Sequence, residues 1–229
     1  MSYTDTVPPV RRSSTVAHAG MQDRPLAVMA AVCLAALVWS AIRPADYATW
    51  FFELFLGVAY VVTLIALRRT FPFSTLVCAV AAVHFVVLGV GAKYTYAEVP
   101  LFNWLRDAFD LSRNHFDRVG HYMQGVTPAL VMREVLLRKT GIGRNAWLTF
   151  SSVSVALAFS ALYEILEWLW VAAFYPDQGP EWLGMQGDMF DAQADMLMAF
   201  LGGLTSAVVL ARAHDTSLRD LERRVSSRP

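Results

Sequence analysis

The chain has 229 residues, of which 56% are hydrophobic and only 17% charged, and its formal net charge is zero. A soluble domain carries about 45–50% apolar and about 25% charged residues. The excess apolar surface therefore calls for lipid, and the neutral balance gives no basis for a nucleic-acid partner; none is expected.

Residues 1–24 are polar and mixed, with Arg11, Arg12, Asp23 and Arg24, and read as a disordered cytoplasmic tail. Six stretches then approach the roughly 20 apolar residues a spanning helix needs: Leu26–Ile42, Thr49–Leu67, Phe73–Ala92, Val119–Leu137, Ala146–Phe174 and Ala192–Ala211. A cleaved signal peptide does not fit, because Arg43-Pro44-Ala45-Asp46 follows the first run where a small-residue cleavage site would stand. Cys33 and Cys78 lie inside apolar runs without a CxxC neighbour and read as packing residues. The runs lack period-two alternation, which argues against a β-barrel. The fold class expected is an all-α polytopic bundle of about six spans, with both termini cytoplasmic. It comprises a membrane domain over 25–212 and a charged cytoplasmic tail over 213–229, the latter opening as a short amphipathic helix.

Loop charges set the orientation, since Lys and Arg favour the cytoplasmic side. With the N-terminus inside, the outer segments hold only Arg43, Lys93, Arg106, Arg113 and Arg118 of the 19 basic residues. Trp168, Trp170 and Tyr175 then mark the outer end of the fifth span and Trp147 its inner end, as interfacial aromatics should. Between the third and fourth spans, Phe102, Leu105 and Phe109 recur at helical spacing and predict an amphipathic lid on the outer face.

Ionisable residues within spans face a bundle interior or a water-filled cavity. Asp117 and His121 open the fourth span. Glu164 lies roughly 27 Å along the fifth at 1.5 Å per residue, with Glu167 one turn on. Asp188, Asp191 and Asp195 lead into the sixth. All reach the outer boundary, and each set shares a helix face by its spacing of three, four or seven. Arg118 is the base expected among them. Asp117, His121 and Glu164 are the candidate catalytic groups. His121, Glu164, Glu167, Asp188, Asp191 and Asp195 are the candidate ligands of a divalent cation, since carboxylates with an imidazole suit Ca²⁺, Mg²⁺, Mn²⁺ or Zn²⁺. Arg118 is the candidate contact for an anionic substrate group. Helix capping is the alternative for Asp117, Asp188 and Asp191. His84 reads as making an interhelical hydrogen bond, and Glu134, between Arg133 and Arg138, as solvated charge. Pro128 predicts a kink in the fourth span.

The segments Lys93-Tyr-Thr-Tyr-Ala-Glu-Val-Pro100, Arg113-Asn-His-Phe-Asp-Arg-Val-Gly-His121, Ala161-Leu-Tyr-Glu-Ile-Leu-Glu-Trp168 and Gln186-Gly-Asp-Met-Phe-Asp-Ala-Gln-Ala-Asp195 resemble the YjdF-like family of bacterial inner-membrane proteins. That resemblance, over roughly Leu26–Arg212, implies a multi-pass inner (plasma) membrane protein and no activity, since the family is a domain of unknown function. A more distant likeness, confined to the last three helices, is to VanZ-like membrane proteins, associated with glycopeptide-antibiotic resistance. Asp117-Arg118 and His121 resemble the first element of that pattern. Glu164 with Glu167, and Asp191 with Asp195, resemble the others, with Glu in place of Gln and Asp in place of Asn.

Three functions fit these residues. One is an outward-facing cation site acting on an envelope or lipid-linked substrate. The second is a proton-coupled transporter with the acids as a relay, which calls for polar residues continuing inward; His84, Gln124 and Thr127 are the few present. The third is a structural or accessory membrane protein whose charges form a satisfied network.

Overall fold

A computed structural model describes residues 24–179 and 183–226 of the chain. The expected N-terminal tail lies outside the described residues apart from Arg24, which opens the first helix. Eight helices stand among the described residues, and no strand: α1 (Arg24–Ala41), α2 (Tyr47–Ala66), α3 (Thr75–Tyr94), α4 (Pro100–Ala108), α5 (Phe116–Lys139), α6 (Ala146–Phe174), α7 (Asp191–Val208) and α8 (Ala211–Ser226).

Local chemistry sets the helix ends. The Asp46 carboxylate accepts the N–H of Thr49 at 2.7 Å and caps α2. Asn145 accepts from Leu148 at 3.2 Å and caps α6, and Pro100 occupies the first turn of α4, where its missing N–H costs nothing. Thr95, in the left-handed region at φ 58°, ends α3. Pro128 lies inside α5, which stays a single helix of 24 residues across it.

Four helical stretches are long and apolar enough to cross a bilayer: Arg24–Ala41, Tyr47–Arg69, Thr75–Tyr94 and Ala146–Phe174. α7 and α8 together form a fifth candidate, bent by 58° at their junction. α5 has the length of a span, but Asp117, Arg118, His121, Arg133, Glu134, Arg138 and Lys139 deny it an apolar stretch. Large side chains such as Val28, Phe51, Val62, Val83, Phe150 and Val208 point outward and exposed, an apolar girdle that water would not tolerate on this scale.

Within the bundle, α1 and α2 pack on α3 around Cys33, Leu54, Leu64, Cys78, Ala81 and Phe85. Both cysteines are free and buried, as packing residues should be. α5 is the hub of the other half, touching α3, α6 and α7. α6 buries Ser152, Ala156 and Ser160 on one face, small residues of the kind that let helices approach in lipid. Gly203 of α7 packs on Ala156 and Val153. Gly125 of α5 lies against the Ala199 backbone, and Gly202 of α7 against the Tyr122 carbonyl, so α5 and α7 touch main chain to main chain. The helix expected in this segment is present as α4. Phe102 packs edge-on against Phe116 at 5.2 Å between ring centres, while Leu101, Trp104 and Phe109 face outward.

At the end of the bundle where α5 finishes, Glu134 is fully buried. This overturns its reading as solvated charge. The Ser74 N–H donates to Glu134 at 3.0 Å and Arg138 donates at 2.7 Å. His214 of α8 bridges Glu134 (Nε2, 3.1 Å) and Arg133 (Nδ1, 2.9 Å). Arg133 only donates, so Nδ1 accepts and the ring proton sits on Nε2. Arg133 and Arg144 both reach Asp215, at 2.8 and 3.1 Å, and Ser217 of α8 accepts the Leu76 N–H at 3.0 Å. The segment from 213 is thus a docked helix through Ser226, with 227–229 outside the described residues.

Candidate functional site

At the opposite end, α5 and α7 begin side by side. Helical spacing sets Asp117 and His121 one turn apart on α5, and Asp191 and Asp195 one turn apart on α7. The close backbone contact at Gly125 and Gly202 brings the two stripes together, and α6 carries Glu164 to the same depth. Asp117, His121 and Asp195 are all buried, and each offers one ligand atom within 4.8 Å of the others. His121 Nε2 lies 3.4 Å from Asp117 Oδ1 and 3.7 Å from Asp195 Oδ2. On the other side of the ring, Nδ1 faces Glu164 Oε1 at 3.6 Å, and neither atom has a hydrogen-bond partner.

Two arginines compensate the aspartates. Arg118 pairs with Asp117 at 3.3 Å, Asp188 at 3.0 Å and Asp191 at 2.7 Å, and also with Asp195. Arg113, from the loop ahead of α5, meets Asp188 at 3.1 Å and Asp191 at 2.7 Å, and lies 3.7 Å from Asp117. Burial first, and then the charges of Arg113 and Arg118, push the His115 imidazole below its usual range. His115 therefore adds no positive charge at neutral pH. Four aspartates face two arginines, with the His121 ring between Asp117 and Asp195.

A cavity of about 30 Å³ adjoins the cluster, lined by Glu53, Asp117, His121, Tyr163 and Glu167 among others. That volume suits a water or an ion and is too small for a lipid headgroup. Tyr163 donates to Glu53 at 2.6 Å, and its ring meets that of His121 edge-on at 5.8 Å.

Every residue singled out by depth and spacing lies in or beside this cluster, but they divide. Asp117, His121 and Asp195 converge on one point, with Glu164 behind the imidazole. Asp188 and Asp191 are engaged by the arginines, with Arg118 central. Glu167 borders the cavity without a hydrogen bond. His84 is buried with its Nε2 unpartnered among the described residues. Three participants went unrecognised in the sequence: Arg113, read only as a loop charge, Glu53 and Tyr163. Glu53 carried a usable signal, an acid within an otherwise apolar run.

Residues 25–216 match the family described as "Predicted membrane protein (DUF2238)". The chain belongs to this family. It is 39% identical over 183 residues to the inner membrane protein YjdF of Escherichia coli (strain K12), an alignment covering 80% of this chain and 87% of the relative. No solved structure matches the chain. With its several apolar helices, the chain is a multi-pass protein of the bacterial inner membrane.

Proposed function

We propose that the cluster is an outward-facing divalent-cation site that acts on an envelope or lipid-linked substrate. Asp117 and Asp195 are ligands through one oxygen each, and His121 through Nε2. The observation that carries this reading is the spacing of the three donors. At 3.4 and 3.7 Å they stand too far apart for strong hydrogen bonds. They match the roughly 3–3.7 Å between donors that share one cation at about 2.0–2.4 Å. The acids of the cluster outnumber its two arginines, an imbalance that a bound cation would redress, and uncompensated charge in an apolar environment costs several kcal/mol.

Glu164 acts through His121. A metal-bound imidazole donates its second N–H to a carboxylate in most known sites, which fixes its tautomer and aim. Glu164 is in that position, so its role is orientation. When bound, such a cation offers Lewis acidity toward a carbonyl or phosphoryl oxygen. A substrate too large for the cavity engages outside it, through Arg118, which pairs with the lining residues Asp117, Asp191 and Asp195.

The topology that accompanies this reading has six spans, including α5 and α7, and both termini cytoplasmic. The charge distribution along the chain supports it. α5, lined by polar groups, is shielded from lipid by α3, α6 and α7.

The test is elemental analysis of the protein purified in mild detergent without chelator. About one metal per chain, lost in Asp117→Asn and Asp195→Asn variants of normal elution and helicity, is the expected result. No metal in the wild type after exposure to Mg²⁺, Ca²⁺, Mn²⁺ and Zn²⁺ overturns the reading. It then favours a structural network, which the ion pairs of Arg118 with four aspartates support.

A further inference from the structure

Arg113 and Arg118 converge on the same two oxygens. Arg113 Nη1 and Arg118 Nη2 lie 3.1 and 3.0 Å from Asp188 Oδ2, and both lie 2.7 Å from Asp191 Oδ1. Two guanidinium groups, each with one Nη nitrogen on the same pair of oxygens, form a cationic niche that suits a phosphate group. We propose that this pair is an oxyanion clamp for a phosphomonoester or diphosphate headgroup, and that the Asp188 carboxylate occupies it in the resting protein. The inference rests on the outward-facing site above and names its substrate class.

Arg113 supplies the independent observation. Its side chain is 7% exposed, yet Nε and Nη2 have no hydrogen-bond acceptor among the described residues. The nearest carboxylate, Asp117, stays 3.7 Å from Nη2, beyond hydrogen-bond reach. Buried guanidinium donors are expensive to leave unmade. A carboxylate has two oxygens to offer, and that of Asp188 is already divided between Arg113, Arg118 and the Phe190 N–H, which it accepts at 3.0 Å. A phosphate monoester brings three terminal oxygens and a second negative charge to the same forks.

Asp188 is the member built to leave. Its side chain is 34% exposed, against 8% for Asp191 and 4% for Asp195. It stands in the turn ahead of α7, after Gln186 and Gly187 at φ 57° and 84°, whereas Asp191 and Asp195 are fixed on the helix. Rotation of one exposed side chain frees the place that Asp188 Oδ2 holds on both guanidinium groups, while Asp191 keeps its own. The phosphoryl group would then sit beside Asp195, which contacts both Arg118 and His121.

The test measures binding of inorganic phosphate, and separately of phosphatidic acid in mixed micelles with phosphatidylcholine as control, to the full chain in mild detergent by calorimetry. Asp188→Asn removes the competing charge-assisted bonds and should tighten binding about tenfold or more. Arg113→Lys on that background keeps the charge, loses the fork, and should reverse the gain. A gain for phosphatidic acid alone supports a lipid headgroup as the source. A gain for both supports free phosphate as well. Equal affinities in the wild type and Asp188→Asn, or binding indifferent to Arg113→Lys, overturn the proposal. Should Arg113→Lys fail to fold, the exposed Asp188→Asn substitution still decides. Metal content in the same samples separates the two ideas. Metal without any gain in phosphate binding overturns the clamp alone. The gain without metal supports the clamp and overturns the cation reading.

Discussion

Gly125 of α5 lies directly against the backbone of Ala199 in α7, with no space for a Cβ between them. The same contact sets how near Asp117 and His121 come to Asp195, since each partner is one or two turns further along the same helices. Gly125→Ala should therefore force the helices apart. Overpacking of this kind costs about 1–3 kcal/mol. The expected outcome is a melting temperature lowered by several degrees together with weakened metal binding. An unchanged midpoint and unchanged metal content would show that the contact does not set the site.

Removing the acid behind the imidazole gives a graded effect. Glu164→Gln should weaken metal affinity about 10–100-fold, as loss of an orienting carboxylate does elsewhere, while Asp117→Asn abolishes binding. Titration of metal into the apo-protein distinguishes them. Equal loss in both would make Glu164 a direct ligand.

The far end of the bundle predicts a separable phenotype. Glu134→Ala leaves Arg138, His214 and the Ser74 N–H without their shared acceptor. Breaking a buried pair in this way costs about 3–5 kcal/mol. Yield and thermal midpoint should fall sharply, while the surviving folded fraction keeps its metal.

Asp215 adds a pH dependence. Burial raises its pKa, but hydrogen bonds from Arg133 and Arg144 outweigh this and hold it below the ordinary 3.8. A folded-state pKa below the unfolded one means the stabilisation is fully present above 3.8 and disappears as pH falls through the lower folded value. The stability gap between wild type and Asp215→Asn should be constant above about pH 5 and close below pH 4. Urea unfolding across that range checks it. A gap that widens on acidification would contradict the assignment.

Orientation is accessible to labelling. In a Cys33→Ala/Cys78→Ala background, Asp177→Cys should react with an impermeant maleimide in spheroplasts, and Gly141→Cys only after permeabilisation. The reverse pattern would put the acidic site on the cytoplasmic side.

Much of this architecture could be read before any coordinates. Apolar runs marked α1, α2, α3 and α6, and helical spacing with depth gathered Asp117, His121, Glu164 and Asp195 at one end. Periodicity reports which face a residue shares with its own helix, and no more. It is silent on which distant partner that face meets. Glu134 looked solvated because its nearest neighbours in sequence are charged, whereas its actual partners, Ser74 and His214, lie 60 and 80 residues away. Arg113 escaped notice for a related reason: it precedes the helix, so no stripe includes it, and only the fold turns it toward Asp191. The split among the acids, with some facing the imidazole and others the guanidinium groups, depends on side-chain direction, which spacing alone does not resolve.

The docking of α8 has a consequence for biosynthesis. Chains emerge N-terminus first, so Glu134 and Arg133 enter the bundle well before His214 and Asp215 exist. Until α8 arrives, Glu134 has Ser74 and Arg138 but not His214, Arg133 lacks both His214 and Asp215, and the start of α3 lacks Ser217. α8 thus closes bonds opened by α3 and α5. A nascent chain cut short before residue 214 leaves the Arg133 guanidinium without these acceptors, a chemical mark by which it differs from a chain that includes α8.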